Sequence, residues 1–160
     1  MKRHLLFFVL LLGIVVSACT TKCPPLTDAQ KAVIEKQILE IWAKFQNSVE
    51  NVDFDSFSSF FSSDEFITSF GSGVAFNSKA EYLDTVKARF SIRKSNELQQ
   101  VTVKVSVLAE DLALLTRSCV LQINFKDGSI RRLQAAVSVI FKKETTGWKI
   151  IHRHESTYRI

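Results

Sequence analysis

From Val101 onward the sequence is written almost entirely in a period of two. Val101, Val103, Val105 and Val107 alternate with Thr102, Lys104 and Ser106, and such alternation puts apolar side chains on one face of a strand. Leu112 to Phe125 follows Glu110-Asp111, the turn residues Lys126-Asp127-Gly128 precede Ile130 to Lys142, and Thr145-Thr146-Gly147 introduces a final strand. Long strands joined by short turns form an antiparallel meander. Its apolar face is too extensive to leave in water, so the sheet must curl and something must fill the hollow.

The filling has to come from the segment before it. Thr27 and Gln30 have the spacing of a capping box, and Ile34, Ile38, Ile41, Trp42, Phe45 and Val49 follow at helical intervals, which predicts an amphipathic helix over 27–48. Asp53 is a natural N-cap for a short second helix carrying Phe54, Phe57, Phe60 and Phe61. Glu65 to Phe70 and Val74 to Phe76 flank Gly71-Ser72-Gly73 as a small hairpin. Ser78 and Glu81 repeat the capping spacing ahead of Tyr82, Leu83, Val86 and Phe90, a third helix that ends before Lys94-Ser95-Asn96. Three helices followed by a segregated, mainly antiparallel sheet of about six strands define an α+β fold over residues 27–160.

The N-terminus is of another kind. Lys2 and Arg3 precede LLFFVLLLGIVV, twelve apolar residues from Leu5 to Val16. A bilayer span needs ~20, so residues 1–18 read as a secretory signal peptide. Val16-Ser17-Ala18-Cys19 resembles the lipobox of bacterial lipoproteins. That resemblance implies cleavage before Cys19, a diacylglycerol thioether and palmitate on Cys19, and a membrane partner reached through the lipid. Val16 stands where leucine is commonest, and an ordinary signal peptide cut at the same bond is the alternative. Thr20, where aspartate would retain a lipoprotein, implies the periplasmic side of the outer membrane in a two-membrane cell. Residues 19–26, with Pro24-Pro25, form a stiff lipidated tether.

Removal of residues 1–18 takes away two of the 21 basic residues and none of the 16 acidic ones, leaving 21 − 2 − 16 = +3. The basic residues are dispersed and lack aromatic interleaving, so nucleic acid is not an expected partner. Cys23 and Cys119 could pair in an oxidising compartment, though a buried free Cys119 is the simpler reading.

The order of elements, the segment VDFDSFSSFF after the first helix and the closing GWKIIHRHES together resemble the nuclear transport factor 2-like superfamily, in particular its SnoaL-like branch. The resemblance spans roughly residues 28–158. It implies a cone-shaped domain whose open end admits a small apolar molecule, with dimerisation through the outer face of the sheet. Carried over residue by residue, the ketosteroid-isomerase-like roles fall on Phe45, near Ser69, and near Ser138 or Val139. None of these supplies the needed tyrosine or acid. That enzyme class is therefore disfavoured, no catalytic residue is assigned and no cofactor is implied.

Strict alternation on the last strand places Trp148, Ile150, His152, His154 and Ser156 on one face, and the resemblance turns that face toward the hollow. His152 and His154 then admit three readings. As metal ligands they lack a nominated third partner. As a general base, one would need an orienting carboxylate such as Asp64 or Glu65. As polar pocket wall they need only hydrogen bonds, and this reading is favoured. The expected pocket residues are thus Trp42, Phe45, Tyr82, His152, His154 and Ser156, with no metal. The expected function is non-catalytic binding of a small apolar ligand or a protein partner. A lyase or isomerase using His152 or His154 and a dimerisation module with a filled core are the alternatives.

Overall fold

The computed structural model describes residues 25–63, 66, 69–71 and 73–160, with backbone alone for 69–71. Residues 1–18, Cys19, Cys23, Asp64 and Glu65 lie outside the described residues.

Helix α1 spans Asp28–Glu50 and starts at the anticipated capping box: Thr27 accepts from the Gln30 amide while the Gln30 side chain accepts from the Thr27 amide. It ends through Val52, which adopts the left-handed region at φ 50°, an uncommon place for a β-branched residue. The turn is held by the Asp53 amide donating to the Ser48 carbonyl at 2.9 Å. Asp53 then caps α2 (Phe54–Ser59) through the Ser56 amide. Two short strands, β1 (Ser69–Gly71) and β2 (Val74–Phe76), form the hairpin. Ser78 caps α3 (Lys79–Ser91).

Four long strands follow: β3 (Arg93–Ala109), β4 (Leu112–Phe125), β5 (Ile130–Glu144) and β6 (Gly147–Arg159). They form one six-stranded sheet in the order β2-β1-β6-β5-β4-β3. All pairings are antiparallel except β1 with β6. The fold is the expected α+β arrangement. Lys94-Ser95-Asn96, before which the third helix is expected to end, open β3, which is kept in step with β4 by register shifts near Arg93 and between Gln99 and Thr102. Gln100 sits there at φ 51°. Such irregularities bend and twist a long strand.

The inner face of the sheet and the helices enclose the core. Ile38, Trp42 and Phe45 of α1, Phe57 and Phe61, and Tyr82, Val86 and Phe90 of α3 pack against Leu115, Val139, Phe141 and Ile150. The rings interlock, with Phe45 stacked on Trp42 at 5.1 Å and tilted against Phe57 at 5.0 Å. A second apolar cluster, Cys119, Leu121, Ile123 and Ala135, lies farther along the same inner face. Most of the phenylalanines are therefore plain core.

Candidate functional site

The register between β5 and β6 decides what the last strand offers. Ile140 pairs with His152 but Phe141 pairs with Ile150, so Ile151 is an extra residue, a β-bulge. Directly opposed residues share a face, and one extra residue inverts the alternation beyond it. Before the bulge, Trp148 and Ile150 are buried. After it, Arg153 opposes Val139 and Glu155 opposes Val137, both on the inner face, while His152 and His154 oppose Ile140 and Ser138 on the outer face. The expected inward orientation of His152, His154 and Ser156 is thus reversed. His154 is exposed and bonded to Ser156 at 2.9 Å, in a shallow outer groove with Thr102, Lys104 and Ser138.

What the hollow receives instead is charge. One row across the inner face runs Val103, Arg117, Val137, Glu155. At ~4.8 Å per strand, Arg117 and Glu155 stand roughly 10 Å apart at the backbone. Arg153 enters from the next row, Arg93 from the start of β3, and Arg89 from the last turn of α3. With Phe45, Phe57 and Tyr82 they line a small cavity of about 50 Å³. Phe45 and Tyr82 therefore do line the hollow, and Trp42 is buried behind it with the Arg117 guanidinium 5.5 Å from its ring.

The four guanidiniums are not equivalent. Arg153 is ion-paired with Glu155 and donates to the Tyr82 hydroxyl at 3.2 Å. Burial by itself would push the Glu155 carboxyl up, but the Arg153 charge outweighs it and holds the group below its usual range. Burial would likewise lower Arg153, and Glu155 and Tyr82 raise it instead. Tyr82 is pushed up by burial, only partly opposed by Arg153. Arg93 donates to Asn96 Oδ1 at 3.3 Å, and Asn96 in turn donates to the Val49 carbonyl at the end of α1 at 2.6 Å. The Arg93 Nε has no hydrogen-bond acceptor among the described residues.

Arg117 is the outlier. It is 6% exposed, its Nε has no acceptor among the described residues, and its guanidinium lies over the Trp42 ring. Burial depresses its pKa, yet a guanidinium remains charged in proteins. Periodicity gave the signal for it: Leu115, Arg117, Cys119, Leu121 and Ile123 share a parity, so an arginine sits in the middle of an apolar face. Neighbouring Cys119 is a free, fully buried thiol pushed up by burial. Among the described residues no three His, Cys, Asp or Glu side chains converge as metal ligands.

The model of the SnoaL-like domain matches residues 38–159. The chain belongs to the SnoaL-like family. Its solved structural neighbours carry the same fold at low identity. A proposed dehydratase of the nuclear transport factor 2-like family from Streptomyces avermitilis aligns at TM-score 0.67 and 19% identity over 77% of this chain and 95% of that one. A proposed scytalone dehydratase from Novosphingobium aromaticivorans gives TM-score 0.71 and 11% identity over 82% and 89%. A type 3 hexachlorocyclohexane dehydrochlorinase from Novosphingobium barchaimii gives 0.66 and 13% over 84% and 93%. No curated protein matches the sequence. The SnoaL-like assignment fixes the fold and leaves the chemistry to be argued from the hollow itself.

Proposed function

We propose that this SnoaL-like domain holds a small molecule in its hollow without transforming it, and that Cys19 tethers it by lipid to a bacterial envelope membrane. The observation that carries the binding reading is the titratable lining of the hollow. Elimination or isomerisation requires a base able to take a proton near neutral pH. Among the described titratable lining residues only Glu155 and Tyr82 are not cationic. Glu155 is committed to Arg153 and made less basic by it, and the Tyr82 phenol is kept protonated.

The histidine-based enzyme has lost its geometry, because the bulge turns both imidazoles to the outer face. The neighbours named as dehydratases and dehydrochlorinase favour a second reading, an elimination with Glu155 as base. Against it stands the guanidinium that stabilises the carboxylate. The outer face, with Thr116, Ser118 and Ser138 beside His154, is the surface this reading offers to a second copy of the chain.

Native mass spectrometry of the full chain, released from a non-ionic micelle in the gas phase, tests the binding reading. Retention of a discrete small mass is the expected result. A chain that retains nothing and is stabilised by no added small molecule would overturn it. Labelling with radioactive palmitate, abolished in Cys19→Ala, tests the anchor, and an unlabelled wild type would return the protein to the unanchored exported class. Among the described residues no helix is long and apolar enough to cross a membrane.

A further inference from the structure

Resting on that binding reading, we infer that the ligand is an organic carboxylate: a carboxyl group seated against Arg117 and Arg93, on a compact apolar body that lies toward the mouth of the hollow. A charge taken out of water needs a partner or a dense set of hydrogen bonds. Arg117 is 6% exposed, its Nε has no acceptor among the described residues, and no ion pair to it is formed there. Among the described residues the lining holds four guanidiniums, Arg89, Arg93, Arg117 and Arg153, against the carboxylate of Glu155, an excess of three positive charges. Glu155 is spent on Arg153. An anion entering this space would meet converging fork-shaped donors in a site screened from water, where charge-assisted bidentate bonds are strongest.

Size and polarity select the class of anion. The arginine-lined compartment is about 50 Å³, room for a group the size of one or two waters at ~30 Å³ each. It adjoins a larger space of about 310 Å³ that shares Arg89, Arg93, Leu121 and Glu155 with it. That space is otherwise walled by Ile92, Ile123, Phe125 and Leu133, together with Arg131 and Thr157. Its volume falls in the range of small-molecule sites, ~300–1,000 Å³. A bare oxyanion would leave these apolar walls unused. A neutral apolar molecule would leave Arg117 buried without a counter-charge. Only a molecule carrying both parts uses the whole hollow.

The test is titration of the full chain in non-ionic detergent with benzoate, naphthalene-2-carboxylate and octanoate, each beside its neutral alcohol and beside inorganic phosphate, at fixed ionic strength. Trp42 emission reports occupancy because Arg117 stacks on that ring. At least one acid is expected to bind tenfold or more tightly than its alcohol and than phosphate. Arg117→Met should remove that preference while leaving the alcohol's weak affinity unchanged. Arg93→Met, which spares the Trp42 stack, should weaken the acid severalfold and serves if the first variant does not fold. Equal binding of acid and alcohol would overturn the inference and leave the binding reading standing. Phosphate binding as tightly as the acids would overturn it in favour of a bare oxyanion. Binding of none of the probes would overturn the inference and count against the binding reading itself.

Discussion

A side chain kept for a ligand should be a burden on the empty fold, and Arg117 allows that burden to be measured. The perturbation is Arg117→Met, which retains an unbranched apolar stem and deletes the charge. Removing a guanidinium from water and leaving it without an ionic partner costs several kcal/mol after relaxation. Two terms oppose the gain from deleting it. The stack over Trp42, at 5.5 Å, is worth up to about 2 kcal/mol for a desolvated pair. The shorter methionine leaves a void near methyl size, worth ~1 kcal/mol. Cys119, Glu155 and Glu50 favour the Arg117 charge and Arg153 opposes it, and none of them outweighs its burial. The balance is a stabilisation of about 1–2 kcal/mol, or a rise in melting temperature of roughly 3–8 °C for a domain of this size. Urea and thermal unfolding followed by circular dichroism, on protein dialysed free of small molecules, give the number. Dialysis matters because a retained ligand would stabilise wild type by mass action and hide the effect. A loss of 2 kcal/mol or more in Arg117→Met would refute the reasoning, since it would show that the guanidinium braces the empty fold.

Glu155→Ala should destabilise by about 3–5 kcal/mol, because it breaks a buried ion pair by removing its carboxylate; a urea midpoint like that of wild type would show the pair to be dispensable. The folded-state pKa of Glu155 is lowered, so its contribution is present above the unfolded value of ~4.3 and fades as pH falls through the folded one. The stability gap between wild type and Glu155→Gln should accordingly narrow below about pH 4, and a gap that widens toward acid would contradict the assignment. Thr27→Ala removes one half of the capping box at the start of α1 and should cost about 1 kcal/mol, read as a lower urea midpoint with unchanged slope. Cys119, fully buried with its thiol pKa raised, should resist alkylation by iodoacetamide in the native state and react on unfolding; peptide mapping that finds it modified in native protein would place it at an accessible surface instead.

The fold was legible because its signals are local and redundant. The capping box at Thr27, the stripe from Ile34 to Phe45 and the strict alternation from Val101 to Val107 each specify one element, and α1 and β3 contain them as anticipated. The exact start of β3 had no such local signal, because at Lys94-Ser95-Asn96 polar residues are carried into the strand. Their bonds are to distant partners: Asn96 to the carbonyl of Val49 and Asn124 to Ser95. Propensity cannot see a partner that tertiary folding supplies.

The site divides along the same line. Phe45 and Tyr82 reach the hollow because they lie on helices, where spacing fixes the face and nothing intervenes. Arg117 was equally open to reading from its parity with Leu115, Cys119 and Leu121. For Arg153 and Glu155 no count along β6 could suffice, because the parity of a strand holds only as far as its first bulge. Ile151 carries no glycine or proline to announce one, and the bulge exists only in the pairing with Ile140 and Phe141. Its consequence is chemical as well as geometric. A regular strand would have carried two imidazoles into the hollow and two charged side chains out of it. The single added residue exchanges them, so the interior acquires a guanidinium locked to a carboxylate. That locked pair matters for Arg117, because it occupies the one described carboxylate of the lining that could otherwise have served as counter-ion. The bulge at Ile151 thus sets both the polarity of the hollow and the unmet charge within it.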